Sequence, residues 1–154
     1  MKLIAHRGNI TGPNPLRENS LEYIDEAIKL GYDVEIDVRH IEWEHQLYLG
    51  HDECQYPVSM LWLTQRKEKL WIHCKNLSSL RVFSDTPVNF NYFWHQTDDF
   101  TLTSTQYVWT YPGKPYTHKS VIVMPECSIE RSMLSTMKDY DCYGICSDYV
   151  GEIN

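Results

Sequence analysis

The tightest constraint on the fold is a six-residue run, Val34-Glu35-Ile36-Asp37-Val38-Arg39, which alternates strictly between apolar and charged side chains. Successive side chains of a strand point to opposite faces. Val34, Ile36 and Val38 therefore share one face, and Glu35, Asp37 and Arg39 share the other. The apolar face demands a cover. The two carboxylates, about 7 Å apart at Cα, can converge on one hard cation. A solvated surface strand alternates in the same way, so this segment alone leaves both readings open.

The flanking chain narrows the choice. Residues 2–6 form a short apolar run that reads as a strand, and Gly8, Gly12, Pro13 and Pro15 mark a loop after it. Asn19 or Ser20 can cap a helix. Leu21, Ile24, Ala27 and Ile28 then recur at helical spacing, and Gly31 closes the run. A strand–helix–strand unit of this kind usually builds parallel sheet. The alternation recurs at Leu70-Trp71-Ile72-His73-Cys74-Lys75, with Trp71, His73 and Lys75 on the polar-bearing face. Further strands are expected at 46–50, 89–94, 106–110, 120–124 and 143–147, and helices at 58–68, 77–84 and 128–139. The polar stretch 95–105 reads as loop. No repeat or linker divides residues 1–154, which form a single domain. Three strand ends carry chemically able groups: His6-Arg7, Glu35 with Asp37, and His73 with Lys75. Such groups at the C-terminal ends of parallel strands are what a β/α barrel offers.

Composition excludes several function classes. Aromatic residues make up 13% of the chain, which argues against disorder. The formal net charge is -7 and the basic residues form no stripe, so nucleic acid is not an expected partner. An acidic chain can still act on a phosphate ester if a cation screens the site. No apolar stretch reaches the roughly 20 residues that cross a bilayer. Met1 to Ala5 runs straight into His6, leaving no room for a signal peptide, and the expectation is a cytoplasmic protein without stable membrane insertion. The five cysteines are expected to be reduced.

Four motifs then follow one another within residues 6–52: His6-Arg7-Gly8, Glu18-Asn19-Ser20, Glu35-Ile36-Asp37-Val38 and Gly50-His51-Asp52. Their order and spacing resemble the glycerophosphodiester phosphodiesterases. Four linked motifs are far more specific than one short motif. Weaker similarity continues at Ile72-His73-Cys74-Lys75, where the family has Ile-Glu-x-Lys. It continues at Trp109-Thr110 and at Tyr143-Gly144-Ile145-Cys146-Ser147-Asp148-Tyr149, which is similar to the family's closing strand.

The resemblance implies an α/β fold, a TIM (β/α) barrel. At 154 residues, against about 250 for a full barrel, it would be shortened, with several outer helices reduced or missing. It implies a metal-dependent phosphodiester hydrolase of lipid metabolism, acting on a small-molecule phosphodiester. His6 and His51 would be general acid and base. Arg7 would assist them and grip phosphate oxygens, with Lys75 adding charge beside it. Glu35, Asp37, Glu18 and His73 would surround Mg²⁺ or Ca²⁺. His73 stands where the family has a third carboxylate, which admits Mn²⁺ and makes Glu126 a candidate replacement. Asp52 would orient His51 or cap the turn, His95 is a candidate for the cleft, and Trp94, Trp109 and Tyr111 are candidates for the cleft or for the core. A neighbouring hydroxyl of the substrate would attack phosphorus to give a cyclic phosphate, which water can open. Two other readings are a non-catalytic phosphodiester-binding barrel and a phospholipase of related barrel type.

Overall fold

The computed structural model describes residues 1–153. Strand β1 (Lys2–His6), helix α1 (Leu21–Lys29) and strand β2 (Asp33–Ile41) form the expected strand–helix–strand unit. Ser20 is the N-cap, its side chain accepting from the Tyr23 N–H. Asn19 is thereby left for another task. The order continues with β3 (Gln46–Leu49), β4 (Tyr56–Val58), α2 (Met60–Arg66), β5 (Leu70–Cys74), α3 (Leu77–Asp85), β6 (Tyr92–Phe93), β7 (Phe100–Leu102), β8 (Val108–Thr110), β9 (Ser120–Val123) and β10 (Gly144–Ser147).

Seven of these strands are parallel neighbours in the order β6-β5-β2-β1-β10-β9-β8. β3 pairs antiparallel with the far end of β2, β4 pairs with β3, and β7 pairs antiparallel with β8. The two faces of β2 part as their alternation requires. Val34, Ile36 and Val38 are fully buried under α1 and α3, in a cluster with Ile24, Ala27, Leu63 and Phe83. The inner face of the curl holds a second cluster of Ile4, Trp71, Phe93, Trp109, Val121 and Cys146. Trp109 stacks near Phe93 with ring centroids 4.5 Å apart. A third cluster, Ile122, Leu134, Met137, Ile145 and Ile153, covers the outside of β9 and β10.

The expected TIM barrel is not formed: the sheet is mixed, curled and open. The opening lies between β6 and β8, which share no ladder among the described residues. The reason lies in the chain between β6 and β8. β6 has two residues, and the connection to β8 holds no helix to seat a further parallel strand. A barrel closes only when every strand finds a neighbour on both sides. Here Ser104 takes that place for β6, donating its backbone N–H to the Tyr92 carbonyl at 2.9 Å and accepting the Tyr92 N–H on its hydroxyl at 2.9 Å.

Three local expectations also change. The helix expected at 128–139 is a 3-10 segment over Arg131–Asp139. The strand expected at 89–94 shrinks to Tyr92–Phe93, and the expected loop at 95–105 contains β7. β4 was not foreseen. Among the described residues no helix is long and apolar enough to cross a membrane.

Candidate functional site

Strand register assembles the site. In the β2–β5 ladder Asp37 lies beside His73, and in the β1–β2 ladder His6 lies beside Glu35. Glu35 and Asp37 share a face by alternation, so four functional groups reach one spot from three adjacent strands. Ligand atoms of Glu35, Asp37 and His73 all lie within 4.8 Å of one another. This group can hold a metal ion.

The donors fit a cation on independent grounds. Glu35 Oε2 and Asp37 Oδ1 are buried and have no hydrogen-bond partner among the described residues. A buried carboxylate oxygen without a donor is costly, and a bound cation would satisfy both. His73 Nε2 donates to the His95 carbonyl at 2.8 Å, because a carbonyl can only accept. Its Nδ1 is therefore turned to the carboxylates, 3.3 Å from Asp37 Oδ1 and 3.6 Å from Glu35 Oε1. Toward two acceptors Nδ1 must carry a proton or give its lone pair to an ion. A ligand imidazole with its other nitrogen fixed by a carbonyl is the usual arrangement at metal sites. The ring is further held by stacking on Phe93.

Without an ion the proton is the answer. Burial works to lower the pKa of His73, but the facing carboxylates of Asp37 and Glu35 outweigh this and carry it to about 9 from an ordinary 6.5. Asp37 sits below the usual carboxylate range. Burial would raise it, yet His73, Arg7 and Lys75 pull it down. A raised histidine pKa contributes stability that is complete below about 6.5 and lost as pH rises through about 9. Metal binding displaces the same proton, so ion affinity should rise across that window. In thermal melts without ions, wild type should lose roughly several degrees of Tm between pH 6.5 and 9 relative to His73→Gln. Parallel profiles for the two proteins would refute the assignment.

The cations lie around this centre. Arg7 Nε is 2.9 Å from Asp37 Oδ2, and Nη1 donates to Glu18 Oε2 at 3.2 Å. Lys75 Nζ is 3.6 Å from Asp37 Oδ1. Glu18 is thus an anchor for Arg7, and its other oxygen accepts from Asn9 at 2.9 Å. It is not one of the convergent Glu35–Asp37–His73 group. Glu126 also lies elsewhere. It accepts from the Ser147 hydroxyl at 2.9 Å and from the Asp148 backbone N–H at 2.8 Å.

Both expected acid–base histidines stand on carboxylates. Asp148, whose pKa is lowered, is ionised and can only accept, so His6 donates from Nδ1 at 2.8 Å. Burial tends to lower the pKa of His6, but Asp148 and then Glu35 raise it on balance. His51 Nδ1 lies 2.7 Å from Asp52 Oδ1 on a half-exposed loop. Each imidazole keeps Nε2 for other partners. His6, Arg7, His51, His73, Lys75 and His95 line a single cavity of about 480 Å³. Trp109 and Tyr111 line it too, whereas Trp94 packs against the core under the helices.

The loop that brings His51 in depends on Gly50. Its φ is +146°, and a Cβ there would lie 2.1 Å from the Glu53 carbonyl oxygen. Arg39 steadies the next residue, donating to the His51 carbonyl at 2.6 Å. Gly50→Ala should therefore lower stability by more than about 1 kcal/mol and displace His51. A denaturant melt read against turnover checks this; an unchanged midpoint would contradict it.

Three polar residues that hold the site were not singled out for it from the sequence. Asp148 orients His6. Asn9, fully buried, donates to both Asp148 at 2.8 Å and Glu18 at 2.9 Å. Asn19, also buried, accepts the Asp37 N–H at 2.9 Å and donates to Asp37 Oδ2 at 3.0 Å. Its φ of +62° is one that asparagine tolerates better than most residues. Asp148 and Asn19 stand inside quoted motifs, so that signal was present; Asn9 carried none.

Comparison of the chain with protein-family models, with curated proteins and with solved structures found no match.

Proposed function

We propose that this chain is a metal-dependent phosphodiester hydrolase of the glycerophosphodiester phosphodiesterase type that its first third resembles. One observation carries the reading. The buried carboxylates of Glu35 and Asp37 keep oxygens without a hydrogen-bond donor among the described residues, and they converge with His73, which lines the same cavity as Arg7, Lys75, His6 and His51. Glu35, Asp37 and His73 would hold Mg²⁺ or Ca²⁺, and the imidazole also suits Mn²⁺. The ion, when bound, would supply positive charge against the phosphate oxygens.

The chain's own groups supply the rest. Arg7 and Lys75 draw the phosphate to the charged wall, with Arg7 held in place by Asp37 and Glu18. One of His6 and His51 takes the proton of the attacking hydroxyl, and the other gives a proton to the leaving alcohol. Asp148 and Asp52 hold the two rings by Nδ1, so that Nε2 does the exchange. A hydroxyl on the substrate beside its phosphate attacks with high effective molarity. A cyclic phosphate is the first product, and water opens it in a second step.

The test is a screen of purified protein with Mg²⁺, Ca²⁺, Mn²⁺ and Zn²⁺ against several glycerophosphodiesters and a chromogenic diester. Glycerol phosphate or its cyclic form should appear with at least one ion and vanish in EDTA. No product with any ion, or full activity in EDTA, overturns the proposal. One observation favours a second reading. A protonated His73 faces Asp37 Oδ1 at 3.3 Å and Glu35 Oε1 at 3.6 Å and can balance their charge without an ion, which would leave a phosphodiester-binding site that does not turn over. That reading expects diester binding unaffected by divalent ions.

A further inference from the structure

The cavity has two unlike walls. The side built from β1, β2 and β5 is charged, and it carries His6, Arg7, His73 and Lys75. The side built from β8, β9 and the residues after them is apolar, formed by Trp109, Tyr111, Pro112, Val123 and Met124. Trp109 is packed into the core, 4.5 Å from Phe93 between ring centroids, and forms a fixed floor. Tyr111 is 43% exposed although its ring lies only 5.6 Å from that of His95. A half-exposed aromatic at the mouth of a polar cavity is a surface waiting for an apolar group.

A second cavity of about 300 Å³ adjoins the first, and Arg7 and His51 line both. Its other walls are polar or acidic: Glu18, Asn19, Asp52, Glu53 and Gln55 among them. Residues that border both spaces mark where a phosphate with two substituents would sit.

Resting on the phosphodiesterase reading, we infer that the substrate is an asymmetric diester whose one substituent is flat and apolar, lying against Tyr111 and Trp109. The other substituent is a compact polar alcohol in the smaller cavity. The linings carry this division: aromatic and apolar side chains wall the larger space, and polar and acidic ones the smaller. The acidic rim of the smaller space repels a second anionic group, so a substituent bearing a further phosphate is excluded from it.

The experiment compares two diesters of glycerol phosphate, one esterified with benzyl alcohol and one with propanol. Binding is measured by calorimetry in the presence of Mn²⁺ on His6→Ala, which spares the ligand from turnover. Turnover of both is measured on wild type. The benzyl diester should bind about tenfold more tightly, a reasonable return for covering one ring. Tyr111→Ala, introduced alongside His6→Ala, should bring it to the level of the propyl diester. Equal binding of the two diesters, or a preference that survives Tyr111→Ala, overturns the inference. A benzyl preference without turnover of either diester in wild type supports the apolar subsite and overturns the hydrolase reading instead. Turnover of both diesters with equal binding does the reverse. No binding of either diester overturns both.

Discussion

Asp37→Asn should abolish divalent-ion binding and phosphodiester turnover together, and should cost the fold about 3 kcal/mol. Asp37 is the hub of the charged wall. Its carboxylate faces Arg7 at 2.9 Å, His73 at 3.3 Å and Lys75 at 3.6 Å, and it pairs reciprocally with Asn19. Breaking a buried ion pair from one side leaves the partner charge uncompensated, at about 3–5 kcal/mol. Arg7 keeps Glu18 and some contact with solvent, which puts the effect at the lower end. Titration with Mn²⁺ and a urea melt read the two effects separately. Glu35→Gln is the companion variant. Glu35 Oε2 has no hydrogen-bond donor to lose among the described residues, so ion binding should fail there with a smaller loss of stability. Unchanged Mn²⁺ affinity in both variants would remove the metal centre from consideration.

The second large effect concerns His6. His6→Ala should lower kcat by about 10²- to 10⁴-fold, the range of one general acid–base group, while Mn²⁺ still binds. The ring stands beside Glu35 in the ladder but outside the ligand group. Asp148→Asn tests the support beneath it. Asp148 raises the pKa of His6 and orders its ring, so the variant should be slower and its pH profile should change in a stated direction. Losing the carboxylate lowers the His6 pKa, so the limb of kcat/KM that reports His6 moves to lower pH. A reduced rate with an unmoved limb would give Asp148 a merely structural role. Full activity in both His6→Ala and His51→Ala would exclude the acid–base pair itself.

The site was more legible in the sequence than the fold. Strand ends and alternation pointed to His6, Arg7, Glu35, Asp37, His73 and Lys75, the family resemblance added His51, and all lie in or beside one cavity. Glu18 was placed among the metal ligands but serves as the anchor of Arg7. Glu126 was a candidate to complete the metal group, yet it supports Asp148. Both are carboxylates near the right place, and the sequence cannot say which neighbour will claim them. The closed TIM barrel was expected from the resemblance and is replaced by an open sheet. The first half of the chain follows the barrel's alternation of strands and helices; after Asp85 the strands are joined without α-helices.

Alternation alone determined the two faces of β2 and β5. Backbone geometry turns each successive side chain to the opposite side, whatever surrounds the strand. Local spacing likewise set α1 and its cap region, since a helix needs only neighbours within a few residues. What the tertiary structure decided is everything that joins distant segments. The β1–β2–β5 register placed His6 beside Glu35 and His73 beside Asp37. The return of β10 to the side of β1 brought Asp148 under His6 across 142 positions of sequence. The gap between β6 and β8 was set the same way, because pairing depends on which edges meet once the whole sheet has curled, and no local pattern records that.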